Sequence, residues 1–297
     1  MSLAHNHFDV LRYLEKVRAP QVQRVVAEQL GRSLGTINKV FHELAQLGYL
    51  KDGQITDAGL EALEPYRAKR AIILAAGFGE RMLPLTLNTP KPLMRVQGTR
   101  IIDSLLDALT AVGIGEIYLV RGYLAEQLDQ LLYKYPGIRF LSNPYYHETN
   151  NISSVLVARD HLPSAYILEG DLLLRNPDLI EKYQYESNYL GVPVSKTDDW
   201  CFYTNGKYIK KIGVGGTNCH HMFGISYWNA ADGARLAGDV ETVFNTQPGG
   251  KQRMWDQVAV DYFPGKYQLG VRECSFDDIV EIDTYEELCA LDSAYRL

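Results

Sequence analysis

The spacing of apolar residues divides the chain into two parts. Up to about residue 70, apolar side chains recur every three or four positions, as at Phe8, Leu11 and Leu14, which is the period of an amphipathic helix. From residue 71 onward, short apolar runs such as AIILAA and EIYLV alternate with helical periods. Runs of this length are typical of buried strands. The pattern predicts a small helical unit followed by a larger unit of alternating strands and helices.

Capping residues and turns define the elements of the first part. Pro20 opens one predicted helix, and Ser33 is a favourable N-cap for the next. The pair Asp52-Gly53 predicts a tight hairpin between these helices and a last one. Helices, hairpin and helix in this order are typical of a winged helix-turn-helix domain. The predicted helices cover residues 7–16, 21–31, 34–48 and 60–70.

Strands and helices alternate in the second part as far as residue 174. Such alternation predicts an α/β fold with a doubly wound, mostly parallel sheet of the Rossmann-like type and right-handed crossovers. Beyond residue 190 the pattern is richer in strands, and a strand leading into a helix is predicted within 271–297. The other predicted strands cover 71–77, 116–122, 138–144, 165–174, 190–196, 200–214 and 220–228, and the helices cover 101–113, 125–135, 152–162, 232–244 and 251–263.

Composition limits the class of protein. Hydrophobic residues make up 46% and charged residues 22% of the 297 positions, as in ordinary globular proteins. No apolar run is long enough to cross a bilayer, and the N-terminal residues lack the pattern of a signal peptide. We therefore expect no membrane association and a cytoplasmic location. The four cysteines have no CxxC spacing and are expected to be free thiols rather than a zinc site.

Charge separates the two predicted units. Residues 1–70 carry a net charge of +2, whereas the remainder of the chain carries −8. We therefore predict two domains, over residues 1–68 and 69–297. An acidic domain is unsuited to general polyanion binding, so a phosphate ligand in the larger domain would have to meet a local cluster of cations and backbone amides.

A glycine loop follows the first predicted strand of the larger domain, in the stretch AIILAAGFGERMLPLTLNTPKPL. The turn Gly77-Phe78-Gly79 lacks the third glycine of dinucleotide-binding loops, and no G-x-x-x-x-G-K-[ST] occurs, so neither an NAD site nor a P-loop is predicted. Glycines allow the backbone to approach a nucleotide closely. Arg81 offers a planar fork for phosphate groups, and Lys91 is a cation mounted between two prolines.

The whole stretch matches the pattern L-A-A-G-x-G-x-R-[ML]-x-P-L-T-x-x-x-P-K-P-L and resembles nucleotidyltransferases that make nucleoside-diphosphate sugars and CDP-alcohols. The resemblance implies catalytic roles for Arg81, Lys91 and Asp171, the last in the segment YILEGDLLL. It also implies a Mg²⁺ ion on Asp171 and a second carboxylate, either Asp283 in VEIDTYEEL or Asp256 in MWDQV. Oxygen ligands of this kind suit magnesium. The implied nucleotide-binding residues are Leu74, Ala75, Ala76, Gly77, Phe78, Gly79, Gly122 and Tyr123.

Patterns further along the chain indicate the acceptor. The E-K-P motif of sugar-nucleotide enzymes is absent, while VRGYLAEQ, NNISSVLVA, GISYW, WDQVA and EIDT resemble segments of bacterial phosphocholine cytidylyltransferases. A quaternary ammonium group is held by aromatic faces and a nearby carboxylate. The family often has D-x-D where this chain has Glu169-Gly170-Asp171. The substrate-binding candidates are Asn151, Trp200, Tyr203, Tyr227, Trp255 and Asp256, with Trp228 and Asp199 as further members of the group.

The favoured function is transfer of a cytidylyl group from CTP to phosphocholine, with release of pyrophosphate. Other small phosphates or phosphonates, such as 2-aminoethylphosphonate and phosphoethanolamine, and sugar 1-phosphates are the alternatives. A primary amine would favour carboxylates over an aromatic cage. The phosphate nucleophile is already anionic, so catalysis is expected to depend on positioning and charge stabilisation. His220 and His221 are predicted to be structural, because neighbouring residues of a strand point to opposite faces.

The segment SLGTINKVFHELAQLGYL of the small domain resembles the recognition helix and wing entry of MarR-like transcription regulators. Its DNA-binding candidates are Ser33, Thr36, Asn38 and Lys39. A net charge of +2 is modest for a DNA-binding domain, so a protein-contact role, such as formation of a homodimer, is the alternative. For the whole chain, a regulator that only senses a nucleotide is the alternative to an enzyme.

Overall fold

The computed structural model describes residues 2–296, which divide into two compact units. The smaller unit contains the chain as far as Arg67 together with the segment Tyr183–Tyr185, and the larger unit contains the other residues. Among the described residues, no helix combines the length and the apolar character needed to cross a membrane.

The smaller unit follows the predicted order of helices, hairpin and helix. Thr36 N–H donates to the Ser33 hydroxyl at 3.1 Å, which caps the third helix as predicted. The last helix ends before Pro65 rather than covering residues 60–70, because proline cannot donate a backbone hydrogen bond and here opens a 3₁₀ turn. The elements are α1 His5–Val17, α2 Gln23–Gln29, α3 Leu34–Gln46, β1 Leu50–Lys51, β2 Gln54–Ile55 and α4 Asp57–Leu63.

Two tyrosines from a distant part of the chain complete the core of the smaller unit. Tyr183 is fully buried in this core. The ring of Tyr185 stacks on Tyr66 with 5.5 Å between centroids, and it lies 5.3 Å from the ring of Phe8. The apolar core that they join includes Leu11, Leu14, Val26, Ile37, Val40, Leu44 and Leu63. The smaller unit is therefore not a single continuous stretch of sequence.

The elements of the larger unit are β3 Arg70–Ala75, β4 Arg95–Val96, β5 Thr99–Arg100, α5 Ile101–Ala111, β6 Glu116–Arg121, β7 Ile138–Ser142, α6 Ile152–Val157, β8 Ala165–Glu169, β9 Leu172–Leu174, β10 Asn188–Asn205, β11 Tyr208–Trp228, α7 Ala230–Thr246, β12 Gly270–Glu273, β13 Ile279–Glu281 and α8 Tyr285–Leu291. Seven of these strands form one sheet in the order β10-β12-β11-β8-β3-β6-β7. Strands β8, β3, β6 and β7 run parallel, whereas β11 is antiparallel to β8. The sheet is therefore mixed and mostly parallel, as predicted.

Several segments differ from the sequence-based expectation, among them the strands predicted over 190–196, 200–214 and 220–228, which form two long antiparallel strands, β10 and β11. The helix predicted over 125–135 is a 3₁₀ helix, Ala125–Tyr133, whose buried Leu128 and Leu131 follow the three-residue period of that helix. The helix predicted over 251–263 is divided into a 3₁₀ turn, Gly250–Gln252, and one π-helical turn, Val258–Tyr262, whose first three residues are buried. The strand predicted over 165–174 is interrupted at Gly170-Asp171.

Glycine explains the interruption between β8 and β9. Gly170 N–H donates to the Leu74 carbonyl at 2.9 Å, and a Cβ at this position would lie 2.9 Å from the same oxygen. The backbone therefore turns against the end of β3, and Asp171 leaves the plane of the sheet. Helix α5 covers one face of the sheet, and α6 and α7 cover the other. The carboxyl ends of β3 and β8 meet at one edge, which is where doubly wound folds bind ligands.

Candidate active site

A cavity of about 640 Å³ lies at the carboxyl ends of β3 and β8. The glycine loop forms one side of it, and residues of β10, β11 and β13 contribute to the other. Its lining includes Leu74, Ala75, Ala76, Gly77, Gly79, Glu80, Arg81, Lys91, Asn143, Tyr146, Thr149, Asn150, Asn151, Ser153, Ser154, Glu169, Asp171, Asp199, Trp200, Met222, Met254, Glu281 and Asp283. Backbone groups of the glycine loop, two cationic side chains and several carboxylates therefore line the same cavity.

The glycine loop is shaped by the left-handed conformation of Gly79. Its φ is +70°, and a Cβ there would lie 3.0 Å from the methyl group of Thr86. The Thr86 hydroxyl also donates to the Gly79 carbonyl at 3.0 Å, which closes the loop. At Gly77, by contrast, a Cβ would meet no atom of the described residues within 4 Å, so the backbone faces open space. The loop therefore combines a fixed turn with an accessible backbone, as a nucleotide-binding loop requires.

Lys91 occupies the centre of the charged groups. Its Nζ donates to Asp171 Oδ2 at 2.7 Å and to Asp283 Oδ1 at 2.6 Å. Burial lowers the pKa of the Lys91 ammonium, but the two carboxylates outweigh burial and hold that pKa above its ordinary value. Lys91 is therefore a permanent cation at neutral pH, and it draws together two aspartates that lie 112 residues apart in the sequence.

Arg81 approaches the same carboxylates from the glycine loop. Its Nη2 lies 2.9 Å from Asp283 Oδ1, while 67% of its side chain is exposed. An exposed guanidinium with one anchored edge retains donors for another anion. Arg81 and Lys91 therefore both present positive charge to the cavity.

The carboxylates of this cavity fit a divalent cation that prefers oxygen ligands. Asp171 Oδ1 is buried and has no hydrogen-bond partner among the described residues. Carboxylate oxygens of Glu169, Asp171 and Glu281 lie within 4.8 Å of one another. Asp283 shares Lys91 with Asp171, whereas Asp256 is buried and does not line the cavity. A carboxylate set of this kind suits magnesium.

The glutamates of the cavity carry unusual protonation equilibria. Burial, and then repulsion from Asp171, raises the pKa of Glu169 well above its ordinary value. Burial, and then repulsion from Asp171 and Asp283, raises the pKa of Glu281 to about 9. A cation that binds among clustered carboxyl groups lowers their pKa values and favours their ionised form. The cavity is therefore short of positive charge, and its ligands are expected to include cationic groups.

Asp256 lies behind the cavity wall. Burial raises its pKa to about 7, although the neighbouring Tyr189 hydroxyl favours the ionised form. Neither carboxylate oxygen has a hydrogen-bond partner of ordinary geometry within the described part of the chain. Asn151 connects this region to the cavity: its Oδ1 accepts the Trp255 N–H at 2.9 Å, and its Nδ2 lies 3.4 Å from Glu169 Oε1.

The aromatic candidates separate into one cavity residue and several core residues. Trp200 lines the cavity. Trp255 is buried against Tyr189, with 5.9 Å between ring centroids, and the buried Tyr227 packs on Tyr166. The other rings are not among the lining residues either: Trp228 is fully buried, and the Lys211 ammonium lies over the Tyr203 ring. The structure therefore does not assemble these rings into a cage around the cavity.

The nucleotide-binding candidates also separate into two groups. Leu74, Ala75, Ala76, Gly77 and Gly79 line the cavity, whereas Phe78, Gly122 and Tyr123 are not among the lining residues. Tyr123 instead contacts the glycine loop: its backbone N–H donates to the Ala76 carbonyl at 3.1 Å, and its ring packs edge-on against Phe78.

Sequence reasoning missed a polar wall of the cavity. Asn143 Nδ2 donates to the hydroxyls of Ser153 and Ser154, at 2.9 and 3.1 Å. The segment NNISSVLVA pointed to this region, but only Asn151 was selected from it. Asn143 directly follows β7, at the edge of the sheet where the strands' carboxyl ends meet, so its position was a usable signal. Tyr146, Thr149, Asn150, Glu281 and the methionines Met222 and Met254 were likewise not predicted.

The DNA-binding candidates of the smaller unit lie near the start of α3. The hydroxyls of Ser33 and Thr36 hydrogen-bond to each other at 2.8 Å. Lys39 lies 3.8 Å from a carboxylate oxygen of Glu43 on the same helix. Asn38 is exposed.

Comparison with known proteins matches this geometry to a family. The family model of the MobA-like NTP transferase domain matches residues 71–199. A 2-aminoethylphosphonate cytidylyltransferase of Lancefieldella rimae is 37% identical over 230 residues, which cover 76% of this chain and 92% of that protein. A choline-phosphate cytidylyltransferase of Haemophilus influenzae is 31% identical over 221 residues, covering 73% of this chain and 93% of that protein.

A solved structure gives the same result. The CTP:phosphocholine cytidylyltransferase from Streptococcus pneumoniae superimposes with a TM-score of 0.70 at 28% identity, covering 76% of this chain and 99% of that one. These relatives therefore leave about a quarter of the chain unmatched.

Proposed function

The chain belongs to the cytidylyltransferase family of MobA-like NTP transferases, and from this premise we propose that it transfers CMP from CTP to a small phosphonate or phosphate that carries a primary ammonium group. The preferred acceptor is 2-aminoethylphosphonate. The chain is a nucleotidyltransferase, and the proposal concerns which base and which acceptor it uses.

The observation that carries the acceptor proposal is the ratio of carboxylates to aromatic rings around the cavity. Carboxylates from three separate strand regions, Glu169, Asp199 and Glu281, line it. Within residues 2–296, the aromatic lining consists of Tyr146 and Trp200. A primary ammonium has N–H donors that bind carboxylates directly, whereas a quaternary ammonium depends on aromatic faces. The lining therefore favours the primary amine.

The reaction needs no general base. An oxygen of the acceptor's phosphonate attacks the α-phosphorus of CTP, one P–O bond forms, and the bond to the leaving pyrophosphate breaks. The nucleophile is already an anion, so no proton has to be removed. The protein contributes by holding two anions in line and by stabilising the charge that moves onto pyrophosphate. Lys91 and Arg81 are the cations available for this role.

A divalent metal ion would be held by Asp171 and Asp283, whose carboxylates converge on Lys91. When bound, such an ion spreads the negative charge of the triphosphate. The unpartnered Oδ1 of Asp171 supports this assignment. Asp256 is less suited to the role because it is buried away from the cavity lining.

Phosphocholine is the second candidate acceptor. Trp200 and Tyr146 provide two aromatic faces, and relatives named for phosphocholine cover a similar share of the chain. The two candidates differ only in the methylation of nitrogen and in the bridging oxygen, so a direct comparison separates them.

A pyrophosphate-release screen tests the proposal. The full-length protein with Mg²⁺ is given each of the four NTPs and, in turn, 2-aminoethylphosphonate, phosphoethanolamine, phosphocholine and glucose 1-phosphate. We expect CTP with 2-aminoethylphosphonate to give the highest kcat/KM. A higher kcat/KM with phosphocholine would contradict the acceptor proposal while preserving the reaction, and turnover with glucose 1-phosphate alone would contradict both.

For the smaller unit we propose a winged-helix fold, on the basis of its element order. Its DNA-binding and homodimer roles stay predictions. Retention of the full chain on duplex DNA at low salt, and loss of that retention in Lys39→Ala, would support DNA binding. Absence of retention at low salt would favour a protein-contact role.

A further inference from the structure

One histidine stands behind the acceptor side of the cavity. A ring nitrogen of His221 and one carboxylate oxygen from each of Asp199 and Glu281 lie within 4.8 Å of one another. The three residues come from β11, β10 and β13. Both carboxylates line the cavity, whereas His221 is not among the lining residues. The histidine can therefore act on a ligand through the two carboxylates.

The ring of His221 is held from both sides. Its Nδ1 lies 3.1 Å from the Thr197 hydroxyl oxygen, and the same oxygen accepts the backbone N–H of Asp199 at 3.2 Å. Phe223 and Phe276 pack against the ring, with centroids 5.2 and 5.1 Å away. The histidine is thus tied by hydrogen bonding to the backbone that carries Asp199, and packing prevents it from turning away.

The carboxylate of Asp199 is itself constrained. The Trp200 N–H donates to Asp199 Oδ1 at 2.6 Å. One carboxylate oxygen of Asp199 lies within 4.8 Å of one of Glu281, and the two groups repel each other when both are ionised unless a polar group or a cation lies between them. An imidazole nitrogen that lies within 4.8 Å of both carboxylate oxygens can keep the pair together in the absence of substrate.

The two carboxylates lie close enough together for both to bind one primary ammonium group. Two acceptors that each lie about 2.8 Å from one tetrahedral nitrogen are separated by about 4.6 Å, and the carboxylate oxygens here lie within 4.8 Å of each other. The methyl groups of a trimethylammonium would hold both oxygens farther from the nitrogen and farther from each other. Keeping the pair close therefore favours an amine with N–H donors.

We infer, resting on the proposed function, that His221 is a positioning residue that holds Asp199 and Glu281 at the spacing of a primary ammonium and so selects 2-aminoethylphosphonate over phosphocholine. His221 does not line the cavity and is not part of the glycine loop. Its loss should affect the KM for the amine acceptor and leave kcat and the KM for CTP nearly unchanged.

Steady-state kinetics of the full chain with both acceptors, at saturating CTP and Mg²⁺, test this inference. For His221→Ala we expect the KM for the aminoethylphosphonate acceptor to rise about tenfold, with little change in the KM for phosphocholine. His221→Asn, whose amide can still bond to Thr197, should recover much of the selectivity. Thr197→Val, which removes only the hydroxyl, should give a smaller shift in the same direction.

The matched control is His220→Ala. His220 is the neighbouring residue on β11, and its Nε2 lies 3.5 Å from Glu273, outside the cluster. The inference is overturned when His221→Ala keeps the wild-type ratio of the two KM values, or when His220→Ala shifts that ratio equally. Should the wild-type chain turn over no primary-amine acceptor, the proposed function fails and this inference fails with it. Turnover of 2-aminoethylphosphonate with selectivity independent of His221 overturns the inference alone.

Discussion

Replacement of Lys91 by methionine tests the central charge arrangement most directly. The ammonium bridges Asp171 and Asp283 at 2.7 and 2.6 Å, and 11% of its side chain is exposed. Methionine preserves the length and the apolar stem but removes the charge. Loss of one preorganised donor to transition-state charge costs about 10²–10³ in rate, or roughly 3–4 kcal/mol. We expect kcat to fall by that factor.

The same replacement has a smaller expected effect on stability. Removing one partner of a fully buried ion pair costs about 3–5 kcal/mol. Here the carboxylates of Asp171 and Asp283 remain 22% and 16% exposed, and Arg81 still lies 2.9 Å from Asp283. Water and the guanidinium offset much of the loss, so the expected cost is about 1–2 kcal/mol. Thermal denaturation should therefore show a melting temperature lowered by a few degrees.

The assay follows pyrophosphate release at saturating CTP and acceptor, with Lys210→Met, an exposed lysine of the β11 hairpin strand, as the control. A kcat for Lys91→Met within about threefold of wild type would correspond to less than about 1 kcal/mol of barrier and would refute the assigned role. Loss of activity together with loss of the folding transition would instead show that Lys91 is needed for the fold.

Three further predictions concern packing, protonation and capping. Gly122→Ala would place a Cβ 2.6 Å from the ring of Tyr146, so the melting temperature should fall by an amount equivalent to about 1–3 kcal/mol. The control is Gly137→Ala, whose Cβ would meet no described atom within 4 Å and which should leave the melting temperature unchanged. Equal melting temperatures for the two variants would contradict the packing argument. Burial raises the pKa of Asp256 to about 7, so the folded protein retains a proton that the unfolded chain releases, and stability should fall as pH rises from about 4 to about 7. In Asp256→Asn this fall should be shallower in urea titrations, and parallel curves for the two proteins would refute the assignment. The Ser33 hydroxyl caps α3, so Ser33→Ala should lower the stability of the smaller unit by about 1 kcal/mol, measured by limited proteolysis; unchanged cleavage rates would count against it.

The aromatic cage that the sequence predicted is not formed by Trp255 and its neighbours in the structure. Trp255-Asp256 lies in a motif that resembles phosphocholine cytidylyltransferases, yet both side chains are buried behind the cavity wall. A sequence motif indicates which residues lie near a site. The packing of the folded chain determines whether a given ring points toward the cavity or into the core. In this fold the Trp255 ring packs on Tyr189, and the backbone N–H of Trp255 bonds to Asn151, which lines the cavity.

The segment Tyr183–Tyr185 presents a similar limit in the smaller unit. Its local pattern carries no sign that its rings complete a core formed mainly by residues before Arg67. A contact between residues more than one hundred positions apart depends on the path of the intervening chain, which local periodicity does not encode. The contact predicts that removal of residues 183–185 would weaken the smaller unit.

The local sequence pattern is enough to indicate the family, to locate the glycine loop and to select Arg81, Lys91 and Asp171 as candidate site residues. These features depend on a strand, a turn that only glycine accepts, and charged residues at set intervals. The alternation of apolar runs likewise suffices for a mostly parallel sheet.

The meeting of distant groups depends instead on the folded chain. The pairing of Asp171 with Asp283 around Lys91, and the approach of Asp199, His221 and Glu281, arise because the folded chain brings together elements that lie far apart in the sequence. Local periodicity carries no information about such distances. The acceptor that we propose depends on these distances, because we expect closely spaced carboxylates to favour an amine with N–H donors.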